Sequence, residues 1–192
     1  MTELTDAELW HRVRSGDAES FGDLFRRHGP TIHRFALRRT GHLDQADDVA
    51  AVVFLEAWRS RERTELASSS ALPWLYGIAT NVIRNWRRSR RRHEAALQRI
   101  GDLPRATSRE VGEQVEAATE ARQILEQIPR LPPKEFDVLV LSTWEGLSTS
   151  EVALALGIPP GTVKSRLNRA RNRLAISQPL APIPQLPPTS KD

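Results

Sequence analysis

The sequence predicts an all-α protein: two small helical domains joined by a flexible linker, with a helix-turn-helix as the second. Three observations predict it. Apolar residues recur at three- and four-residue spacings over most of the first 92 residues and again from Ala121, and no alternation of period two competes. Between residues 93 and 119 that periodicity is lost, and Gly101, Pro104, Thr107, Ser108 and Gly112 sit among acids, as in a linker. The 192 residues then fall into pieces of fewer than about 95 each, so each core is modest.

The elements follow in order. Leu4–Ser15 is a short helix. Phe21, Leu24, Phe25, His28, Ile32, Phe35 and Ala36 form one buried stripe. Gly29-Pro30 is expected to interrupt or kink it, because proline lacks the backbone donor and clashes with the preceding turn. Gly41 ends the segment. Ala46, Val49, Ala50, Val53, Phe54 and Ala57 repeat the pattern, and a polar loop runs from Arg59 to Ser70. Pro73 lies near the start of the next helix, where proline is tolerated, and that helix runs to about Arg92. Its expected core face is Leu75, Ile78, Ala79, Val82 and Trp86. Helices over about 116–128, 133–145, 149–156 and 160–175 complete the chain. The domains are expected at 1–92 and 116–176, with a linker at 93–115. The tail at 177–192 holds five of the thirteen prolines and reads as disordered or extended.

Composition excludes several function classes. There is no cysteine, hence no disulfide framework, thiolate zinc site or thiol nucleophile. No run of 18 apolar residues exists, so no membrane span is expected. The polar start, Met1 to Asp6, does not read as a signal peptide, which makes the cytoplasm the default compartment. The five histidines, His11, His28, His33, His42 and His93, form no ligand pair at helical spacing. No Gly-rich phosphate loop stands out either. An enzyme is therefore not expected, and neither is a metal or cofactor. The net charge is only +4, but it is unevenly spread. Residues 81–99 carry +6 and residues 160–176 carry +5, leaving −7 on the rest. Two basic blocks on an acidic chain suit a polyanion contacted at two places; two solvated helix faces are the alternative.

The C-terminal block is the more specific. Ser148-Thr-Ser-Glu151 is a capping box ahead of a short helix with Val152, Ala153 and Leu156 facing inward. Gly157 supplies a tight turn, and Pro160 fits the first turn of a basic helix. On that helix Val163, Leu167, Ala170 and Leu174 share one arc. Ser165, Asn168, Arg169 and Asn172 lie opposite, flanked by Lys164, Arg166, Arg171 and Arg173. Outward hydrogen-bonding groups beside cations suit a helix lying in a DNA groove; an ordinary amphipathic surface helix is the other reading. The stretch Glu145–Gly157, followed by Gly161-Thr-Val-Lys-Ser-Arg-Leu-Asn-Arg-Ala-Arg171, resembles region 4 of bacterial sigma factors of the extracytoplasmic-function (ECF) group of the sigma-70 family. The resemblance implies that Lys164, Ser165, Asn168 and Arg169 read the minus-35 promoter element, and Arg166 and Asn172 complete the candidate surface. It also implies contact with the flap of the polymerase beta subunit. Pro159 stands where the family usually has a serine cap, and Phe136 where it usually has arginine.

The N-terminal half carries the same resemblance. On the third helix Val52 and Leu55 lie opposite the buried stripe, between Asp48 and Arg59, which reads as a docking face or as a second buried side. Asp47-Asp48-Val49-Ala50, with Phe54-Leu-Glu-Ala-Trp58, resembles region 2.2, although Ala51 and Val52 replace the usual Gln and Glu. This implies that Asp47, Asp48, Val52, Leu55 and Arg59 bind the beta-prime clamp helices of core RNA polymerase. Trp74-Leu-Tyr-Gly-Ile-Ala-Thr-Asn81, then Asn85-Trp-Arg-Arg88, resembles regions 2.3 and 2.4, with Thr80 and Asn85 replacing the usual Arg and Asp. Melting and reading of the minus-10 element then falls to the stripe Gly77, Asn81, Arg84 and Arg88. Ser68 and Ser69 belong to the adjoining loop, which in related proteins helps to hold a flipped base. The resemblance implies a non-enzymatic initiation factor whose partners are core polymerase, promoter DNA and an anti-sigma factor, with no membrane contact. A stand-alone helix-turn-helix regulator is the alternative.

Overall fold

The computed structural model describes residues 4–98 and 131–174, and the chain divides into two compact units. Among the described residues there is no β-strand. Helix α1 (Asp6–Arg14) starts at a capping box that the sequence reading missed. Thr5 Oγ1 accepts the Glu8 N–H, and the Glu8 carboxylate accepts the Thr5 N–H and hydroxyl, both at 2.8 Å. Leu9, Trp10 and Val13 of α1 are buried. After the left-handed Gly16 (φ 93°), Asp17 accepts the N–H groups of Glu19 and Ser20 and so opens α2 (Ala18–Thr40).

Helix α2 runs through Pro30 without a break, which corrects the expected interruption. The reason is a matter of magnitude. An interior proline costs about 3 kcal/mol. On either side of it α2 buries Leu24, Ile32 and Phe35, each contributing roughly 1.5–3 kcal/mol. Pro30 itself faces solvent. Phe25, expected in the buried stripe, is 49% exposed and meets Phe54 edge-on at 4.8 Å at the rim of the core. Gly41, at φ 77°, ends the helix as predicted. Helix α3 (Leu43–Ser60) buries Ala46, Val49, Val53, Phe54 and Ala57. A 3-10 turn (Arg61–Arg63) and the bent Thr64–Ala71 loop lead to α4 (Leu72–Gln98), which extends six residues past the expected Arg92.

Helix α4 also buries a face rotated from the predicted one. Leu75, Tyr76, Ala79, Thr80 and Ile83 are buried, while Ile78 and Val82 are only half-buried. The Tyr76 ring meets Phe35 edge-on at 5.0 Å. Trp86 does not enter the core; it is 36% exposed, with the Arg90 guanidinium 5.7 Å from its ring centre. The cause is length. The Arg87 guanidinium donates to the carbonyl of Arg39, in the last turn of α2, so Trp86 lies where its supporting helix ends.

One buried carboxylate joins three segments of this unit. Asp6 Oδ1 accepts from the Arg27 guanidinium at 2.7 Å. Its Oδ2 lies 2.7 Å from His28 Nε2 and accepts the Ala71 N–H at 2.8 Å and the Ser70 hydroxyl at 3.3 Å. Burial opposes its ionisation, but the Ala71 amide, the Arg27 guanidinium and His28 together outweigh burial and hold the carboxyl below its ordinary value.

Among the described residues of the second unit, the first helix is α5 (Pro133–Leu139), which widens into a π-turn over Val140–Trp144 where the sequence predicts plain helix. Its core gathers Leu131, Leu139, Ala170 and Leu174, with Phe136 and Leu167 packed against them. Helix α6 (Thr149–Leu156), a turn at Gly157 (φ 61°) and α7 (Pro160–Arg173) form the helix-turn-helix. The expected helix at 116–128, the linker from residue 99 and the tail lie outside the described residues.

The Asp6 junction predicts an acid-sensitive stability. A depressed carboxylate pKa stabilises the fold above the unfolded-state value of about 4, and this contribution is lost as pH falls through the lower folded-state value. At neutral pH, Asp6→Asn is expected to cost roughly 1.5–3 kcal/mol, the range for hydrogen bonds to a charged group. Denaturant melts of both proteins at descending pH should show the difference shrinking below about pH 4; a constant difference would exclude a charged Asp6.

Candidate nucleic-acid and partner interfaces

The exposed face of α7 is built from the cap of the preceding helix, α6, upward. Ser148 Oγ accepts the Glu151 N–H at 3.3 Å, and the Glu151 carboxylate accepts the Ser148 hydroxyl at 2.6 Å and its N–H at 2.8 Å. These two donors hold the Glu151 carboxyl below its ordinary value. The box fixes the start of α6 as predicted, with Val152 and Ala153 buried beneath it. Pro159 gives α7 no side-chain cap, and the first turn instead bonds the Pro159 carbonyl to the N–H groups of Thr162 and Val163.

Val163, Ala170 and Leu174 are buried and Leu167 is half-buried, so the predicted wheel holds. Lys164, Ser165, Asn168, Arg169 and Asn172 are exposed; Arg166 is half-buried at the edge. Arg169 lies back along the helix, with Nε 3.3 Å from the Ser165 carbonyl and a terminal nitrogen 3.4 Å from its hydroxyl. Arg173 has a different job. Its Nε lies 3.0 Å from the buried Glu135 carboxylate and ties the end of α7 to α5. Phe136, where an arginine is usual, meets Trp144 edge-on at 6.2 Å and packs on the core. That position supplies an apolar group in this chain.

In the first unit, α3 presents Asp47, Asp48, Val52, Leu55 and Arg59 together on its exposed side. Val52 is 40% and Leu55 45% exposed, opposite the fully buried Val53 and Ala57. Two of the five are tethered: Asp47 Oδ1 lies 3.0 Å from His33 Nε2, and Arg59 pairs with Glu56 at 3.1 Å. The result is a small apolar patch with a charged rim, carried by a helix whose other side is already core.

Along α4, Gly77, Asn81, Arg84 and Arg88 recur at intervals of four, three and four residues. Gly77 is buried, which removes it from the expected exposed stripe; Asn81 and Arg88 are exposed, Arg84 is half-buried, and Arg88 donates to Asn85 Oδ1 at 3.1 Å. In the preceding loop Ser69 is exposed, while Ser68 Oγ accepts the Ser70 N–H at 3.3 Å. The loop's ends are tied to α1. Trp10 Nε1 donates to the Thr64 carbonyl at 3.1 Å, and Asp6 takes the Ser70 and Ala71 donors. Sequence reasoning missed Asp6, Trp10 and Ser70. The Thr5-x-x-Glu8 box would have fixed where α1 starts, but no periodic signal tells that Asp6 points inward.

Among the described residues no helix is long and apolar enough to cross a membrane. Residues 24–93 match the family profile described as Sigma-70 region 2, and residues 121–174 match Sigma-70, region 4. The chain is 32% identical over 163 residues to the RNA polymerase sigma factor CarQ of Myxococcus xanthus, covering 85% of this chain and 91% of that protein. It is 35% identical over 176 residues to the ECF RNA polymerase sigma factor SigM of Mycobacterium tuberculosis, covering 90% and 84%. Among solved structures it resembles CnrH, determined in complex with the cytosolic domain of CnrY. The TM-score is 0.62 at 26% identity, over 88% of this chain and 94% of that one.

The two sides of α3 should separate folding from docking. Leu55→Asp is expected to change stability by no more than about 0.5 kcal/mol, as exposed sites do. Val53→Asp buries an unpaired charge and should abolish cooperative folding. Circular dichroism melts of the two variants check this; unfolding by Leu55→Asp would place that side chain in the core.

Proposed function

The chain belongs to the ECF group of the sigma-70 family, factors that direct promoter recognition by RNA polymerase, and on that premise we propose how its parts divide the task. Residues 1–92 act as region 2, docking on core polymerase and reading the minus-10 element. Residues 116–176 act as region 4, placing α7 at the minus-35 element. Asp47, Asp48, Val52, Leu55 and Arg59 meet the clamp helices of the beta-prime subunit, with the apolar pair at the centre and charge at the rim. Lys164, Ser165, Arg166, Asn168, Arg169 and Asn172 meet DNA. In this reading the exposed Asn and Arg side chains read base edges, while Lys164 and Arg166 serve phosphates. Asn81, Arg84 and Arg88, with Ser68 and Ser69, take the minus-10 strand.

The observation that carries this reading is the joint presence of two differently built faces. An operator-binding regulator needs the α7 surface and usually a dimer partner. It has no use for an exposed Val52–Leu55 patch on a separate unit. Two modest DNA contacts on one chain reinforce each other once polymerase holds both, through effective concentration. The protein contributes no catalytic step in this reading; bond formation belongs to the polymerase. CnrH was solved bound to the cytosolic domain of CnrY, and a protein partner is proposed here too: the anti-sigma factor that the family resemblance implies, in the cytoplasm where polymerase works. The beta flap is proposed as the partner of region 4, with Phe136 giving that unit an apolar group where arginine is usual.

Transcription by purified core polymerase on a pool of promoter fragments tests the assignment. Defined new start sites should appear only when this protein is added. Leu55→Asp should lose core binding while remaining helical. Arg169→Ala should lower initiation by the equivalent of roughly 1–3 kcal/mol on promoters with the matching minus-35 base, and by little on those without it. Equal losses on every promoter would make Arg169 a phosphate contact, and tight sequence-specific binding by the free chain would argue for an autonomous regulator.

A further inference from the structure

We propose that helix α1 is a positioning clip for the Thr64–Ala71 loop, with Trp10 and Asp6 fixing its two ends in the shape that reads the minus-10 element. This deepens the assignment of that loop to minus-10 recognition and rests on it. The loop has eight residues in neither helix nor strand. Holding each backbone residue in one conformation costs about 1–2 kcal/mol, so an untethered loop would meet DNA as an ensemble. Binding would then carry the ordering cost, and discrimination between bases would weaken.

The tethers lie at the loop's two ends. At its entry, the Trp10 indole N–H donates to the Thr64 carbonyl at 3.1 Å, and the exposed Arg14–Glu65 pair at 3.1 Å adds little. At its exit, Asp6 Oδ2 accepts the Ala71 N–H at 2.8 Å and the Ser70 hydroxyl at 3.3 Å. Ser70 Oγ in turn accepts the Leu72 N–H at 3.2 Å and so starts α4. Asp6 and Trp10 are four residues apart, which puts both on one side of α1. Both are almost fully buried, at 6% and 3% exposure. The clip is itself braced. Trp10 stacks edge-on against Trp74 in the first turn of α4, with ring centres 4.7 Å apart, and Asp6 is held by Arg27 and His28 of α2. Between the pinned ends, Ser69 projects into solvent. A rigid frame with an open centre is what base capture requires.

The test uses holoenzyme reconstituted with full-length protein. Initiation is measured on one promoter and on copies with single-base changes in the minus-10 or minus-35 element. Trp10→Phe keeps an aromatic ring, though a smaller one, but loses the N–H donor; Ser70→Ala loses the hydroxyl, and Ser70→Thr keeps it. Trp10→Phe and Ser70→Ala should each reduce minus-10 discrimination about threefold to tenfold, the effect of one hydrogen bond. Core affinity and minus-35 discrimination should stay at wild-type values, and Ser70→Thr should restore the minus-10 ratio. Unchanged minus-10 discrimination in folded Trp10→Phe and Ser70→Ala overturns the clip. So does a parallel loss of core binding or minus-35 discrimination, which would show general structural damage. A Ser68→Ala, Ser69→Ala double variant separates the two levels of the argument. If it lowers minus-10 discrimination while the clip variants do not, only the clip fails. If it too leaves the ratio unchanged, the loop is not the reader and the assignment beneath the clip fails with it.

Discussion

The N-terminal unit depends on keeping one carboxylate ionised away from water. An isolated buried carboxylate would take up a proton, and its charge persists only where partners replace the lost hydration. Asp6 has four: the Arg27 guanidinium, His28, the Ser70 hydroxyl and the Ala71 amide. Those partners come from α2 and from the loop before α4, so satisfying one charge fixes three segments that are far apart in sequence. Apolar burial could hold α1 against α2 without it. The junction adds direction, since a carboxylate accepts only from donors correctly placed around it.

The same economy governs the exposed cations. Arg-rich stretches look uniform as sequence, but the structure separates their roles by where each side chain ends. Arg87 bonds the Arg39 carbonyl, Arg90 lies over Trp86, and Arg173 meets the buried Glu135. Lys164 and Arg169 remain on the surface of α7 beside Asn168 and Asn172. A polyanion therefore meets a surface narrower than the net charge of the basic blocks suggests, and contact geometry as well as attraction decides what binds.

Where the sequence was legible, the signal was local and periodic. The core side of α3, the Ser148–Glu151 box, the Gly157 turn and the α7 wheel could all be read within a few residues, and so could the stripe of α2 except at the exposed Phe25. The exposed patch at Val52 and Leu55 was legible too, because a second apolar arc on an amphipathic helix lacks a partner within its own core. The failures have a common physical cause. Pro30 looked like a break because a local cost is visible in sequence while the burial flanking it is not. Trp86 looked like core because a helical wheel has no knowledge of where the neighbouring helix stops. Asp6 and Ser70 were missed because a bond spanning 64 residues leaves no periodic trace.

The arrangement on α7 suggests why such a helix works best inside a larger assembly. In the free chain Arg169 rests on Ser165, whose hydroxyl bonds the Thr162 carbonyl at 3.1 Å. The Arg169 bonds, at 3.3 and 3.4 Å, are long, and an ordinary net hydrogen bond contributes only about 0.5–1.5 kcal/mol. A bidentate contact to a base is worth about 1–3 kcal/mol, so DNA can lift Arg169 away, but with a small surplus. In the proposed role of α7, so small a surplus keeps one short helix from holding DNA by itself. In the proposed division, specific occupancy then calls for a second attachment on the same chain, which α4 and the loop before it supply at the minus-10 strand.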